Sequence, residues 1–120
     1  MNDDLVVNEA KSSTFGVPGR CINEVRNHHF VMDEPAYLGG PGEEIGPADS
    51  FLAGISGCGA LLVQSTARKW GVPLEKVEVV IRGVRNRAEP SRFQRVNMRF
   101  ELSGPTEEQA RKLVEAYQER

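Results

Sequence analysis

Cysteine is scarce in this chain: Cys21 and Cys58 are the only two. Two thiols cannot build a disulfide scaffold, and a reducing compartment disfavours a permanent bridge between them. Histidine is equally sparse, with only the adjacent pair His28-His29. Two cysteines and two neighbouring histidines offer no zinc-site spacing, so neither a metal centre nor another cofactor is expected. No charge of one sign dominates, since 15 Lys and Arg face 17 Asp and Glu for a net charge of -2. That balance argues against a nucleic-acid footprint and against an anionic membrane surface as partner. No apolar run approaches the ~20 residues of a membrane span. The acidic start Met1-Asn2-Asp3-Asp4 has no signal-peptide core, so a cytoplasmic location is expected. Repeats, low-complexity tracts and linkers are missing as well. The 120 residues are therefore expected to form one domain over residues 1–120, with a core of modest size.

What the chain does contain is organised around Gly46 to Gly71. This stretch reads as one long, mostly apolar helix with Cys58 in its middle. Pro47 suits the first helical position, and Asp49 places a carboxylate at the positive end of the helix dipole. Gly71 followed by Pro73 is the matching stop. At about 100° per residue, Phe51, Ile55, Cys58 and Leu62 fall within roughly 60° of one another. The thiol is therefore expected on a buried stripe. Its neighbours Ala53, Gly54, Ser56, Gly57, Gly59 and Ala60 are all small. Glycine inside a helix costs close to 1 kcal/mol relative to alanine. Such residues imply a backbone or a substrate lying close against Cys58, or simply a structural thiol beside a tight helix crossing.

Ahead of this helix, Leu5-Val6-Val7 reads as a short edge strand, and Ser12 to Gly19 as a loop. Arg20–Arg26 and His28–Met32 read as two strands joined at Asn27, with Asn23 interrupting one face. Residues 36–46, rich in glycine, read as a flexible loop whose Glu43-Glu44 pair is solvated. Beyond the helix, Val77, Val79 and Ile81 mark one strand face, and Val96, Met98, Phe100 and Leu102 another. A polar turn at 85–90 makes these a hairpin. Thr106 to Gln109 opens a last helix with a capping-box pattern and an apolar stripe of Ala110, Leu113, Val114 and Tyr117. That helix is expected to run to Arg120, where a continuation would be natural. Strands, helix, strands, helix make an α+β domain with a mainly antiparallel sheet packed on helices.

Several of these stretches together resemble the OsmC/Ohr family of osmotically inducible and organic hydroperoxide resistance proteins. The matching text is His29-Phe30-Val31-Met32-Asp33-Glu34-Pro35, a glycine-rich loop, then Gly46-Pro47-Ala48-Asp49-Ser50-Phe51-Leu52-Ala53 through Gly57-Cys58. It continues through Gly71-Val72-Pro73-Leu74-Glu75-Lys76-Val77-Glu78-Val79 to the helix at Thr106. The resemblance covers most of the chain after about residue 20. It implies an OsmC-like fold: an intertwined α+β homodimer with long central helices and sites at the subunit interface. It also implies thiol peroxidase activity on organic hydroperoxides. The Pro47-to-Cys58 spacing matches the family's attacking cysteine, and Arg20 falls where the activating arginine belongs. The acidic partner would fall on Ala48, so Asp49, one residue later, is the carboxylate expected to orient the arginine, as in a more divergent branch. The resolving cysteine normally follows the last helix, and Cys21 is a poor substitute because it cannot share a strand face with Arg20.

Peroxide reduction requires a thiolate to attack one peroxide oxygen and become a sulfenic acid. A free thiol with pKa near 8.5 is only a few per cent ionised at neutral pH. Burial would raise that value, and the helix dipole fades long before Cys58, about three turns in. A guanidinium ~4 Å from the sulfur supplies on the order of 4 kcal/mol at an effective dielectric near 20, before desolvation. Lowering the pKa by two units takes roughly 2.7 kcal/mol. One arginine would do, and it must be Arg20, Arg26 or Arg82 of this chain or a partner's, because Arg68 lies about 15 Å along the same helix. The expected function is thus a cytoplasmic, cofactor-free peroxidase using Cys58, Arg20 and Asp49, with an unidentified thiol reductant. Two alternatives stand beside it. One is a dimeric protein that binds an apolar small molecule without catalysis. The other is a Cys/His hydrolase recruiting His28 or His29, for which no oxyanion-hole motif is visible.

Overall fold

In the computed structural model, which describes residues 4–119, two compact units follow one another, 1–50 and 51–120. The first is a three-stranded antiparallel sheet of β1 (Lys11–Thr14), β2 (Arg20–Val25) and β3 (His28–Asp33), in that order. The β2–β3 hairpin turns through Arg26 and Asn27, both in the left-handed region at φ 49 and 65. Two such residues in succession make the turn whose twist suits a two-residue hairpin. Strand β1 occupies part of what reads as a loop in the sequence. Its Ser12 pairs with Asn23, and the Ser12 hydroxyl donates to Asn23 Oδ1 at 2.7 Å. Asn23 Nδ2 in turn donates to the Phe30 carbonyl at 3.1 Å. The residue that interrupts an apolar face is thus a buried, satisfied cross-strand clamp. Leu5-Val6-Val7 form no strand and are exposed.

Residues 36–46, expected to be flexible, are held instead. A single 3₁₀ turn (Ala36–Leu38) begins the segment, and Gly42 N–H donates to the Glu34 carbonyl at 3.2 Å. At Gly40 a Cβ would lie 2.1 Å from the Glu34 carbonyl oxygen, so only glycine allows the chain to close here.

The second unit contains most of helix α1 (Pro47–Trp70), the hairpin β4 (Lys76–Asn86) and β5 (Glu89–Ser103), and helix α2 (Glu107–Gln118). Helix α1 has the bounds the sequence predicts. Its end is a Schellman closure: Gly71 at φ 66, Val72 N–H to the Ala67 carbonyl and Gly71 N–H to the Arg68 carbonyl. Strands β4 and β5 extend beyond their apolar segments to a two-residue turn at Arg87-Ala88, with a register shift around Val84–Asn86. The capping box on α2 is present in both directions, Gln109 N–H to Thr106 Oγ1 and Thr106 N–H to Gln109 Oε1. Helix α2 ends at Gln118 with Glu119 as its cap, short of the expected run to Arg120, and Arg120 itself lies outside the described residues.

The core of this unit is Val63, Ala67 and Leu113, with Val72, Leu74, Val77, Phe100, Leu102 and Tyr117 packed around it. Helix α1 therefore buries the side bearing Gly59, Val63, Thr66 and Ala67. Gly59 makes the approach possible, because a Cβ there would stand 3.1 Å from Met98 Cε and 3.4 Å from a ring carbon of Phe100. The expected buried stripe is thereby corrected: Phe51 and Cys58 are exposed, and Ile55 and Leu62 only half-buried. The helix is apolar on more than one side, and bulk alone pointed to the wrong one. By length and composition α1 also reaches the range of a membrane span, with mean hydropathy 1.3 over its apolar window. This corrects the expectation that no run comes close. Small residues contribute to that hydropathy without forming an uninterrupted run of large side chains.

Candidate active site

The first strand of the β2–β3 hairpin begins with Arg20 and the second ends with Asp33, and antiparallel register sets the two opposite each other. The guanidinium engages the carboxylate with its forked edge, Nε to Oδ1 at 2.7 Å and Nη2 to Oδ2 at 2.9 Å. Asp33 is a buried carboxylate, 1% exposed. Its Oδ2 also accepts the backbone N–H groups of Glu43 and Glu44, each at 3.0 Å. The glycine-rich segment is thus wrapped onto Asp33 by its own amides, with the Asp33 N–H donating to the Ile45 carbonyl at 3.0 Å. Four charged or polarised donors on one buried carboxylate satisfy it fully.

Glu43 supplies a second anion, its Oε1 2.8 Å from Arg20 Nη2. That side chain is 73% exposed, whereas the Arg20 side chain is only 21% exposed. Glu43 is therefore not simply solvated. The Asp33 hydrogen bond, then the Glu43 one, raise the Arg20 pKa above the ordinary arginine value. Reciprocally, the Arg20 hydrogen bond holds the Asp33 carboxyl down at about 2, with help from the two backbone amides and against the opposing effect of burial. Arg20 carries its charge at any pH the fold survives.

Asp49 does something else. Its Oδ2 accepts the Gly46 N–H at 2.8 Å, the reach of a third helical residue back to the residue before the helix. The Ser50 hydroxyl reinforces the same turn by donating to the Gly46 carbonyl at 3.2 Å. The acid that orients Arg20 is Asp33, and sequence reasoning passed over it as a strand end. A signal was available: Arg20 and Asp33 are the outermost pair of a hairpin whose turn was legible at Asn27.

Cys58, in the second unit, is exposed. It lies on the side of α1 that also carries Phe51, Gly54 and Leu61, and a Cβ added at Gly54 or Gly57 would meet no atom within 4 Å. The second cysteine, Cys21, is half-buried and its Sγ points to Asn23 Oδ1 at 3.8 Å, on the opposite strand face from Arg20. His28 and His29 are both exposed, and His29 Nε2 lies 3.8 Å from Glu24 Oε2. Among the described residues no three His, Cys, Asp or Glu side chains gather as a metal-binding group.

Chemically, the first unit presents a charged, pre-oriented guanidinium and the second an accessible thiol among apolar and small residues. Comparison with solved structures places the fold. A Legionella pneumophila organic hydroperoxide resistance protein OsmC superposes with a TM-score of 0.74 at 22% identity, over 96% of this chain and 84% of that one. An OsmC-like protein of Mycoplasma pneumoniae gives 0.79 at 13% identity, over 96% and 82%. An organic hydroperoxide resistance protein of Elizabethkingia anophelis, with thiocyanate bound, gives 0.67 at 20% identity, over 95% and 82%. At these identities the likeness is one of fold. No curated protein matches the chain. The α+β arrangement of two helices with antiparallel sheets is that of OsmC-like structures, and the sequence of residues 40–120, more than half of the chain, matches the OsmC-like protein model: this chain belongs to the OsmC-like family.

Proposed function

We propose that the protein is a cytoplasmic, homodimeric, thiol-dependent hydroperoxide reductase that acts on organic hydroperoxides, with Cys58 as nucleophile. The observation that carries this reading is the position of Cys58, exposed halfway along α1 beside Phe51, Leu61 and open glycine positions, in an OsmC-like chain. An accessible sulfur is what an attacking thiol needs. Relatives in fold that are named organic hydroperoxide resistance proteins support the same chemistry.

In the reaction, the Cys58 thiolate forms a sulfur–oxygen bond as the peroxide O–O bond breaks. Sulfur is oxidised by two electrons to a sulfenic acid, and the departing alkoxide takes up a proton and leaves as an alcohol. A dithiol then reduces the sulfenic acid, regenerating the thiol and releasing water and a disulfide. Arg20, from this chain or from a second copy, stabilises the thiolate and the developing alkoxide. Asp33 holds its fork at a fixed angle, and Asp49 sets the start of the helix that bears Cys58. The apolar surroundings of Cys58 favour an organic hydroperoxide over hydrogen peroxide. No cofactor, metal, nucleic acid or membrane enters this scheme.

Consumption of cumene hydroperoxide with dithiothreitol as reductant tests the proposal. Wild type is expected to turn over, and Cys58→Ser to lose at least about 100-fold in rate. Equal low rates in both would overturn it in favour of a binding protein.

A further inference from the structure

The guanidinium of Arg20 carries one positive charge, yet two carboxylates are bonded to it, Asp33 and Glu43. These are the charged groups that face it, one from β3 and one from the 36–46 segment. As held, the cluster sums to one negative charge, so a thiolate brought to it gains less attraction than a guanidinium with one carboxylate partner would give. The two carboxylates are not equivalent. Asp33 is buried and tied by four donors, two of them backbone amides. The Glu43 side chain is 73% exposed and its Oε1 accepts from Arg20 Nη2. Its backbone N–H is anchored on Asp33, so the side chain can turn away without moving the segment. Exposed ion pairs of this kind are weak.

We propose that Glu43 is a displaceable counter-ion on Arg20, which keeps the guanidinium discharged and thereby restrains ionisation of the nucleophilic thiol. Asp33 is the permanent partner and Glu43 the removable one. When Glu43 swings into solvent, Nη2 is freed and the cluster returns to neutrality, and the arginine then has a donor to offer an anion. This inference rests on the reading of Cys58 and Arg20 given above. Glu43 is on this view a positioning and restraining residue, acting through Arg20 and not on the substrate.

The test is the rate of Cys58 alkylation by iodoacetamide at pH 7, on the full chain, read by mass spectrometry at the Cys58 peptide so that Cys21 does not contribute. Glu43→Gln keeps the backbone donor and should speed alkylation about three- to tenfold, the size expected when one unit charge leaves a site near the thiol. Glu44→Gln keeps its backbone amide on Asp33 and changes only a side chain that is not bonded to Arg20, and it should leave the rate within about twofold. The double variant Arg20→Gln/Asp33→Asn neutralises both ends of the buried pair together, which protects the fold. It should slow alkylation, and adding Glu43→Gln to it should then change nothing. A Glu43→Gln rate equal to wild type, a matching rise in Glu44→Gln, or a rise that persists without Arg20 would each overturn the inference. If the double variant slows alkylation while Glu43→Gln has no effect, only the counter-ion idea fails. If the double variant leaves the rate unchanged, the role of Arg20 itself fails.

Discussion

Asp33 shows how much one residue can organise. Its two oxygens hold a guanidinium on one side and two amides on the other. Its carboxyl is depressed to about 2 from an ordinary value of 3.8, so the group favours the fold when ionised. That stabilisation is complete above about pH 4 and is lost as pH falls through about 2. Thermal melts between pH 6 and pH 2 should therefore show a steep acid limb in wild type and a shallower one in Asp33→Asn. At pH 7 the same substitution is expected to lower Tm by at least about 5 °C, because Arg20 and the two amides lose a charged acceptor. A Tm unchanged at pH 7 would contradict this account. At the same scale, Asn23 reads as a fault in a strand, because a strand face is judged by its apolar residues. The hydroxyl of Ser12 and the carbonyl of Phe30 make it a fitted part, and neither is visible from position 23 alone.

At the scale of the element, helix α1 is the instructive case. Its ends were legible because caps are local chemistry: a proline start, an acid three residues in, a glycine in the left-handed region. Its orientation about its own axis was not. Phe51, Ile55, Cys58 and Leu62 form a plausible core stripe by bulk, yet the side that packs is centred on Gly59, Val63 and Ala67. Glycine scores as nothing in a count of large apolar residues, although its missing side chain is what admits Met98 and Phe100. The two kinds of glycine should respond differently to substitution. Gly59→Leu would overpack against Met98 and Phe100 and is expected to cost about 1–3 kcal/mol in urea unfolding. Gly57→Ala meets nothing in the chain and is expected to gain up to about 1 kcal/mol of helix propensity. Equal effects at the two positions would refute this assignment of the faces.

For the whole molecule, the surface is the telling quantity. Among the described residues, only Val63, Ala67 and Leu113 are fully buried apolar side chains, while Phe51, Leu61 and Trp70 on α1 are more than half exposed. Exposed apolar side chains of this kind on α1 are what the proposed homodimer would cover. Sedimentation should accordingly give twice the 13.3 kDa of the chain, with no folded monomer on dilution. A stable folded monomer would refute it.

The sequence by itself determined two capped helices and two antiparallel hairpins, though it read most of β1 as a loop and Leu5-Val6-Val7 as a strand that does not form. These depend on residues within four or five positions of one another, where backbone geometry and side-chain reach set the outcome. It also carried enough of a family pattern to point to Cys58 and Arg20. Only the tertiary structure decided that Arg20 belongs to Asp33 and Glu43, thirteen and twenty-three residues away, and that Asp49 serves the helix start. Only the tertiary structure, too, turned Cys58 outward. Pairings across a hairpin and the choice between two apolar helix faces are settled by what packs against them, and no local rule contains that information.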